Sequence, residues 1–369
     1  MLESNVFTQL HHPKSYDLVL QGGGVRAIAL VGALAALESQ GYKMQRAVGT
    51  SGGAVVGALH AAGYTAKELH KIIKHFNFAC LKDSDWVDRI PYLGKALNIL
   101  FSKGIYEGDV LFNWLEEMFH AKGVKTFGDL KNHDLADQEG LVSNYRMQVV
   151  VSDISRKEIL VLPRDAHKLG VNPDELSVPL VMRMSASIPI FFEPVVFKNP
   201  QTGTEHVLVD GAMLSNFPVW FFDRKKPRWP TFGLMLLDSD PNDTTVEHVN
   251  AEACKDAEIK SRYGLVSYLK DLVQTMMEAH DRLHLERSNL ARTITIPTLG
   301  IHLTQFDLPK DCIDALYQSG FDSAERFLKN WDFDSYVRDY RQEYDLFNDL
   351  LIDAPITPLQ TDRELASVF

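Results

Sequence analysis

The chain has 369 residues, 45% of them apolar and 24% charged, the balance of a folded globular protein long enough to bury a sizeable core in one large α/β domain or two. A net charge of −11 excludes general nucleic-acid binding and any overall attraction to an anionic membrane, so membrane contact is left to a local patch. No run of about 18 apolar residues suits a spanning helix, and the scattered Cys80, Cys254 and Cys312 read as small apolar side chains in a reducing compartment, not as a disulfide framework or a metal cluster.

The N-terminal MLESNVFTQLHHPKS lacks the apolar segment and cleavage site of a secretory signal. The expected location is therefore cytoplasmic, with peripheral contact at membranes, or outside by a route that leaves no such mark. The first strand signal is Leu18-Val19-Leu20, followed by Gly22-Gly23-Gly24-Val25-Arg26 and an alanine-rich helix over Ala27 to Ser39. Successive glycines permit positive φ and place no β-carbon between backbone and ligand. The first amides of a helix have no intrahelical acceptor, so this turn makes a nest for an oxyanion or a phosphate.

One βα unit later, a strand near Gln45 to Val48 gives way to Gly49-Thr50-Ser51-Gly52-Gly53 and a helix over about Ala54 to Ala62. This is G-x-S-x-G in the strand-to-helix context of a nucleophile elbow, where small neighbours allow a tight turn that leaves the serine hydroxyl exposed. Taken singly, each block is also an ordinary glycine-rich turn. Taken together, the first supplies what a serine nucleophile lacks, N–H donors for the charge developing on an attacked carbonyl oxygen.

Thr65-Ala66-Lys67-Glu68 matches a capping box ahead of an amphipathic helix to about Phe78. Residues 83 to 105 mix Trp86, Ile90, Tyr92 and Leu93 with lysines without a firm period, which suits a lid over a lipid site or an irregular excursion packed on the core. A helix is expected over Asp109 to His120, a buried strand over Arg146 to Val151 with a hairpin partner at Glu158 to Leu162, and a helix over Ser177 to Ala186. Strands follow near Val195 to Phe197, Val207 to Val209, Thr231 to Leu237 and Thr293 to Ile296, then a helix over Asp311 to Leu328 and a loosely held tail from about Trp331. Strands alternating with helices imply a largely parallel sheet covered on both faces.

With Asp210-Gly211-Ala212 after the strand at Val207 to Val209, and Ala186-Ser187-Ile188-Pro189 before it, four blocks stand in the order found in patatin-like phospholipases, and the chain resembles that family. Ala27 stands where the family usually has glycine. The resemblance implies a three-layer α/β/α fold with a mainly parallel central sheet, a catalytic domain over residues 16–330, an N-terminal extension over 1–15 and a C-terminal helical extension and tail over 331–369. It implies Ser51 as nucleophile, Asp210 as acid, with Gly211 and Ala212 completing its motif, an oxyanion hole from Gly22, Gly23, Gly24, Val25 and Arg26, and an elbow framed by Gly49 and Gly53. No cofactor and no metal are needed.

Asp210 directly follows a strand, and the carboxyl ends of strands in an open α/β sheet gather at one edge with Ser51. A carboxylate there can accept the Ser51 proton as a dyad without histidine. An ordinary α/β-hydrolase needs a later histidine; His280 and His284 read as a solvated i, i+4 pair and His302 as a surface residue. The relaxed dinucleotide fingerprint at Gly22, Gly24 and Ala27 lacks the acid that should end the second strand. Trp220-Phe221-Phe222 followed by Arg224, Lys225, Lys226, Arg228 and Trp229 combines rings for headgroup depth with cations for phosphates, or else is a buried turn followed by a solvated basic loop.

The activity expected is phospholipase A or lysophospholipase chemistry on glycerophospholipids. Its partner is a phospholipid or other glycerolipid at a membrane or micelle surface. A protein activator is compatible with the scheme, nucleic acid is not expected, and oligomeric state is left open. The alternatives are a non-catalytic lipid- or partner-binding module on the same fold, and a hydrolase of soluble esters or peptides.

Overall fold

The structure, a computed structural model, describes residues 14–81, 104–106, 108–132, 144–224, 227–237, 272–273, 275–276 and 286–341. It opens with β1 (Ser15–Leu20), a 3-10 turn over Gly24–Ala27, α1 (Ile28–Ser39) and β2 (Lys43–Thr50), which runs without a linker into α2 (Ser51–Ala61). Next is α3 (Ala66–His75), started by the expected capping box: Thr65 Oγ1 accepts from the Glu68 amide at 3.2 Å and Glu68 Oε2 accepts from the Thr65 amide at 2.8 Å.

Then come β3 (Gly104–Tyr106), α4 (Asp109–Ala121), the hairpin β4 (Met147–Asp153) and β5 (Glu158–Leu162), and α5 (Val178–Ser185). The strands β6 (Ile190–Phe192), β7 (Val195–Lys198), β8 (Glu205–Asp210) and β9 (Thr231–Leu237) follow. The chain continues through α6 (Arg287–Leu290), β10 (Thr293–Pro297), α7 (Lys310–Lys329) and α8 (Phe333–Tyr340). The irregular stretch over 83–105 lies outside the described residues except where its end enters β3.

The central sheet is ordered β10-β9-β1-β2-β4-β8-β7, with β5 also on β4. The strands from β10 to β4 are parallel, whereas β5, β8 and β7 pair antiparallel. The expectation of a mainly parallel sheet flanked by helices holds for the body, and the reversal at its far side has a local cause. The segment Asn199–Thr204 closes β7 and β8 into a hairpin, with the Asn199 amide bonded to the Thr204 carbonyl at 2.8 Å, so these two strands must run against each other.

Register then produces an unusual junction. β4 pairs with β5 over Val149–Asp153, with β2 over Met147–Val150 and with β8 over Val151–Asp153. Since β5 occupies one edge, β2 and β8 share the other and meet end to end: Thr50 stands opposite Val150 and Asp210 opposite Val151. The acid thus reaches the serine by opposed strands, not through the common strand polarity that the sequence suggests.

One face of the sheet, with Leu18, Leu20, Ala47, Val149, Leu234 and Ile294, packs into the main core. α1 lies in that core and is apolar around its whole circumference, as a helix covered on all sides must be. The other face, with Val19, Val48, Val150 and Met235, packs against Phe217, Val219 and Phe222 from the connection between β8 and β9. That connection is tied down by Asp223, whose Oδ1 meets Arg292 Nη1 at 2.5 Å and Arg341 Nη2 at 2.7 Å. The first residues beyond 330 also pack on the body, with Trp331 stacked on Phe327 and edge-on to Phe232.

Cys312 is buried on α7, Cys80 is exposed, and Cys254 lies outside the described residues. Among the described residues no helix is long and apolar enough to cross a membrane.

α1 and α7 cross with their backbones in contact. A β-carbon on Gly32 would stand 1.8 Å from the Tyr317 carbonyl oxygen, and one on Gly320 1.7 Å from that of Ala29. Gly320→Ala gains about 1 kcal/mol of helix propensity yet must force the helices apart, an overpacking that costs about 1–3 kcal/mol or more. A thermal melt should therefore show a lowered midpoint; a raised one would mean that the crossing is not close-packed.

Candidate active site

Two turns and one strand end converge at the junction of β2 and β8. In the first turn Gly24 has φ of +54°, and a β-carbon there would lie 2.1 Å from the Leu303 carbonyl oxygen, so only glycine fits on both counts. Not all five residues of Gly22–Arg26 offer an amide. The Gly22 N–H donates to Asn216 at 3.2 Å, that of Val25 to Leu303 at 3.1 Å and that of Arg26 to Gly23 at 3.1 Å. Among the described residues the amides of Gly23 and Gly24 have no such backbone acceptor, nor has that of Gly52, whose backbone lies against Gly24. An oxyanion hole at this turn would therefore draw on Gly23, Gly24 and Gly52 and not on all five residues. Arg26 is buried and its Nε donates to the Gly23 carbonyl at 3.4 Å, so it shapes the turn.

In the second turn Thr50 is extended and Ser51 has φ of +53°, a strained left-handed conformation for a residue with a side chain and the geometry of an elbow. Gly49 packs under Ala54, and a β-carbon on Gly53 would stand 2.3 Å from the Gln21 carbonyl oxygen; the two glycines let α2 turn back onto β1.

Ser51 Oγ donates to Asp210 Oδ2 at 2.6 Å. Asp210 Oδ1 accepts the Ala212 amide at 2.9 Å, capping the short turn Gly211–Met213. Both carboxylate oxygens are thus engaged, and among the described residues neither meets a histidine. His302 is exposed, its amide bonded to Gln305 Oε1 at 3.3 Å, while His280 and His284 lie outside the described residues. Complete burial pushes the Asp210 carboxyl up to about 7, with the Ser51 hydroxyl and the Ala212 amide pulling it back down.

Beside the pair lies a cavity of about 110 Å³. Gly24, Ser51 and Gly52 line it, and Val55, Leu59, Ile73, Leu111, Trp114 and Phe306 are among its apolar walls. Ser51, Val55 and Leu59 follow one another at four-residue steps, so the cavity tracks α2 for two turns, about 12 Å. Ala186 and Ile188 of the fourth sequence block also line it.

The aromatic and basic run is placed elsewhere. The Thr231 end of β9 pairs with Asp17, at the start of β1, and the Arg46 guanidinium, bound to Asp17 at 2.5 Å, lies 4.8 Å from the Phe222 ring and 6.0 Å from that of Trp229. Arg46 is five residues before Ser51 on an extended strand, about 16 Å away. Phe222 is buried in the core of the second face and so cannot serve as a membrane contact. Trp220, Arg224 and Arg228 are exposed, Phe221 and Trp229 are partly covered, and Lys225 and Lys226 lie outside the described residues.

Sequence comparison places this arrangement. The family profile described as patatin-like phospholipase matches residues 18–223, more than half of the chain. YqhO, an uncharacterized protein of Bacillus subtilis (strain 168), is 33% identical over 317 residues, 86% of this chain and 99% of that protein. The probable lipid hydrolase 463L of Invertebrate iridescent virus 6 is 26% identical over 209 residues, 56% of this chain and 63% of the viral protein. Among solved structures, VipD from Legionella pneumophila shares the fold with a TM-score of 0.51 at 18% identity, covering 86% of this chain and 67% of its own.

The raised Asp210 carboxyl has a stability consequence. Between its unfolded value of 3.8 and the folded value of about 7, the native protein keeps a proton that the unfolded chain has lost. The stabilisation is therefore complete below the lower value and is lost as pH rises through the upper one. Asp210→Asn removes this dependence, so the variant's melting temperature should gain on that of the unsubstituted protein between about pH 5 and about pH 8. A difference that stays flat across that range would place the carboxyl at its ordinary value.

Proposed function

The chain belongs to the patatin-like phospholipase family, whose activity is lipid hydrolysis, and from that premise we propose that it is a serine lipid acyl hydrolase of the phospholipase A type. The reading is carried by one observation: Ser51 Oγ bonded to the buried Asp210 carboxylate at 2.6 Å beside an apolar cavity. The likeness to the viral lipid hydrolase supports the substrate class.

In this scheme an acyl chain of a glycerophospholipid enters the cavity and presents its ester carbonyl to Ser51. Oγ attacks the carbonyl carbon as its proton passes to Asp210, and the oxyanion is received by the Gly23, Gly24 and Gly52 amides. Collapse of the tetrahedral species breaks the bond to the glycerol oxygen, which leaves with the proton from Asp210. Water then attacks the acyl-enzyme with Asp210 again as base, releasing a fatty acid and regenerating the serine. A carboxyl near neutrality suits both halves, since a group that must take and return a proton works best with its pKa close to the working pH. Water exclusion by the apolar walls strengthens the amide dipoles at the oxyanion.

Fatty-acid release from mixed phospholipid vesicles is the direct test. Ser51→Ala at matched thermal stability should abolish it, by far more than the 10²- to 10³-fold that loss of a single oxyanion donor typically costs. Release undiminished in the variant would remove Ser51 from the chemistry, and turnover of soluble esters without vesicles would favour a small-ester hydrolase. The acidic limb of the kcat/KM profile should rise with pH to a midpoint near 7, because only the ionised carboxylate accepts the serine proton; a midpoint in the ordinary carboxylate range would contradict the burial effect.

A further inference from the structure

Both halves of the Ser51–Asp210 pair are held by one short strap at the end of α5. Ser185, fully buried, donates from Oγ to the Val150 carbonyl at 2.7 Å and accepts the N–H of Ser51 at 2.9 Å. Two residues later the Ser187 carbonyl accepts the N–H of Asp210 at 2.9 Å. The strap is itself anchored: Ser187 Oγ donates to the Arg183 carbonyl at 2.7 Å and accepts from Arg183 Nη1. Arg183 Nη2 donates to the Glu193 carbonyl at 3.0 Å, and its guanidinium lies 5.6 Å from the Phe192 ring.

The N–H of Ser51 is the first of α2 and has no acceptor within the helix. Ser185 provides one in a fixed direction, because its own proton is committed to Val150. A side-chain-bearing residue persists at φ of +53° only where its surroundings over-determine it. Resting on the reading of Ser51 as nucleophile, we infer that Ser185 is a positioning residue, holding Ser51 in its left-handed turn and, with Ser187, setting the hydroxyl within reach of Asp210.

A purely structural serine and a positioning serine differ in what they do to the acid. The Ser51 hydroxyl lowers the Asp210 carboxyl against the upward push of burial; if Ser51 swings away, the carboxyl rises. Of the titratable side chains on the elements packed around β8, Lys198 of β7 and Glu205 of β8 stand at the opposite end of β8 from Asp210. Asp153 of β4 pairs with His206 of β8 at 2.6 Å, and Arg183 of α5 is held as described. Among the described residues no charged neighbour enters the balance at Asp210, which is set by burial and its two donors.

The experiment compares Ser185→Ala and Ser185→Thr on phospholipid vesicles, with Ser51→Ala alongside. Ser185→Ala should lower kcat by about 10²-fold, the effect of a misplacement near 1 Å, leave KM in place because the cavity walls are untouched, and move the acidic limb of the profile to higher pH. Ser185→Thr keeps both hydrogen bonds and should restore rate and limb. If Ser185→Ala does not fold, Ser185→Cys, which keeps the volume with a much weaker acceptor, is read in the same way. A normal kcat and an unmoved limb overturn the inference, as does a fall in kcat with the limb unmoved. Full activity in Ser51→Ala overturns the nucleophile itself, and the strap's role with it.

Discussion

Along one edge of β4, two strands arrive from opposite directions and stop within one residue of each other. β2 ends at Thr50, opposite Val150, and β8 ends at Asp210, opposite Val151. A strand that continued in either direction would collide with the other, so both chains must leave the sheet there. Thr50 hands over to α2 through the left-handed Ser51, and Asp210 caps the turn that follows it. The closeness of the hydroxyl and the carboxylate is therefore set by backbone pairing along β4, with side-chain rotamers making only the final adjustment. Positions fixed by sheet register are stiffer than positions fixed by loops.

Burial at that junction acts twice. It deprives the Asp210 carboxylate of water, which raises its pKa to about 7, and it surrounds the adjoining space with aliphatic and aromatic walls. In the proposed mechanism a carboxylate of ordinary pKa would be a poor acceptor for a serine proton. Desolvation supplies the basicity that a histidine brings to a triad. The cavity that would receive an acyl chain opens on Ser51, and the buried base stands one hydrogen bond behind it.

The parts of the site that depend on neighbouring residues were readable in sequence. Gly22–Gly24 and Gly49–Gly53 announce turns because glycine is the residue a turn demands, and flanking apolar runs place those turns on strand ends. Thr65 and Glu68 gave the capping box for the same reason. What depended on distant pairing was not readable. Asp210 could be chosen from its motif, yet its approach to Ser51 was attributed to parallel strands because nothing in HVLVD reports the direction of its neighbour. The amides of Val25 and Arg26 looked available until Leu303 and Gly23 claimed them. Phe222 sat in a run that suited a membrane surface, but its own ring packs under the sheet with Phe217 and Val219. Ser185 carried no pattern at all, since its partners Val150 and Ser51 lie 35 and 134 residues away.

The segment matched by the family profile, 18–223, contains every residue in the proposed chemistry. It does not contain the strand on the far side of β1, which is β9 (Thr231–Leu237), nor α7, whose Gly320 admits α1 to backbone contact. Asp223, at its very end, is gripped by Arg292 and Arg341. Chemistry and architecture in this molecule therefore have different boundaries. The catalytic block is not a detachable module, because β1, which feeds the glycine turn, would become an open sheet edge and α1 would lose the helix packed against it. Transplanting the proposed activity into another protein would mean moving the later strands and helices as well.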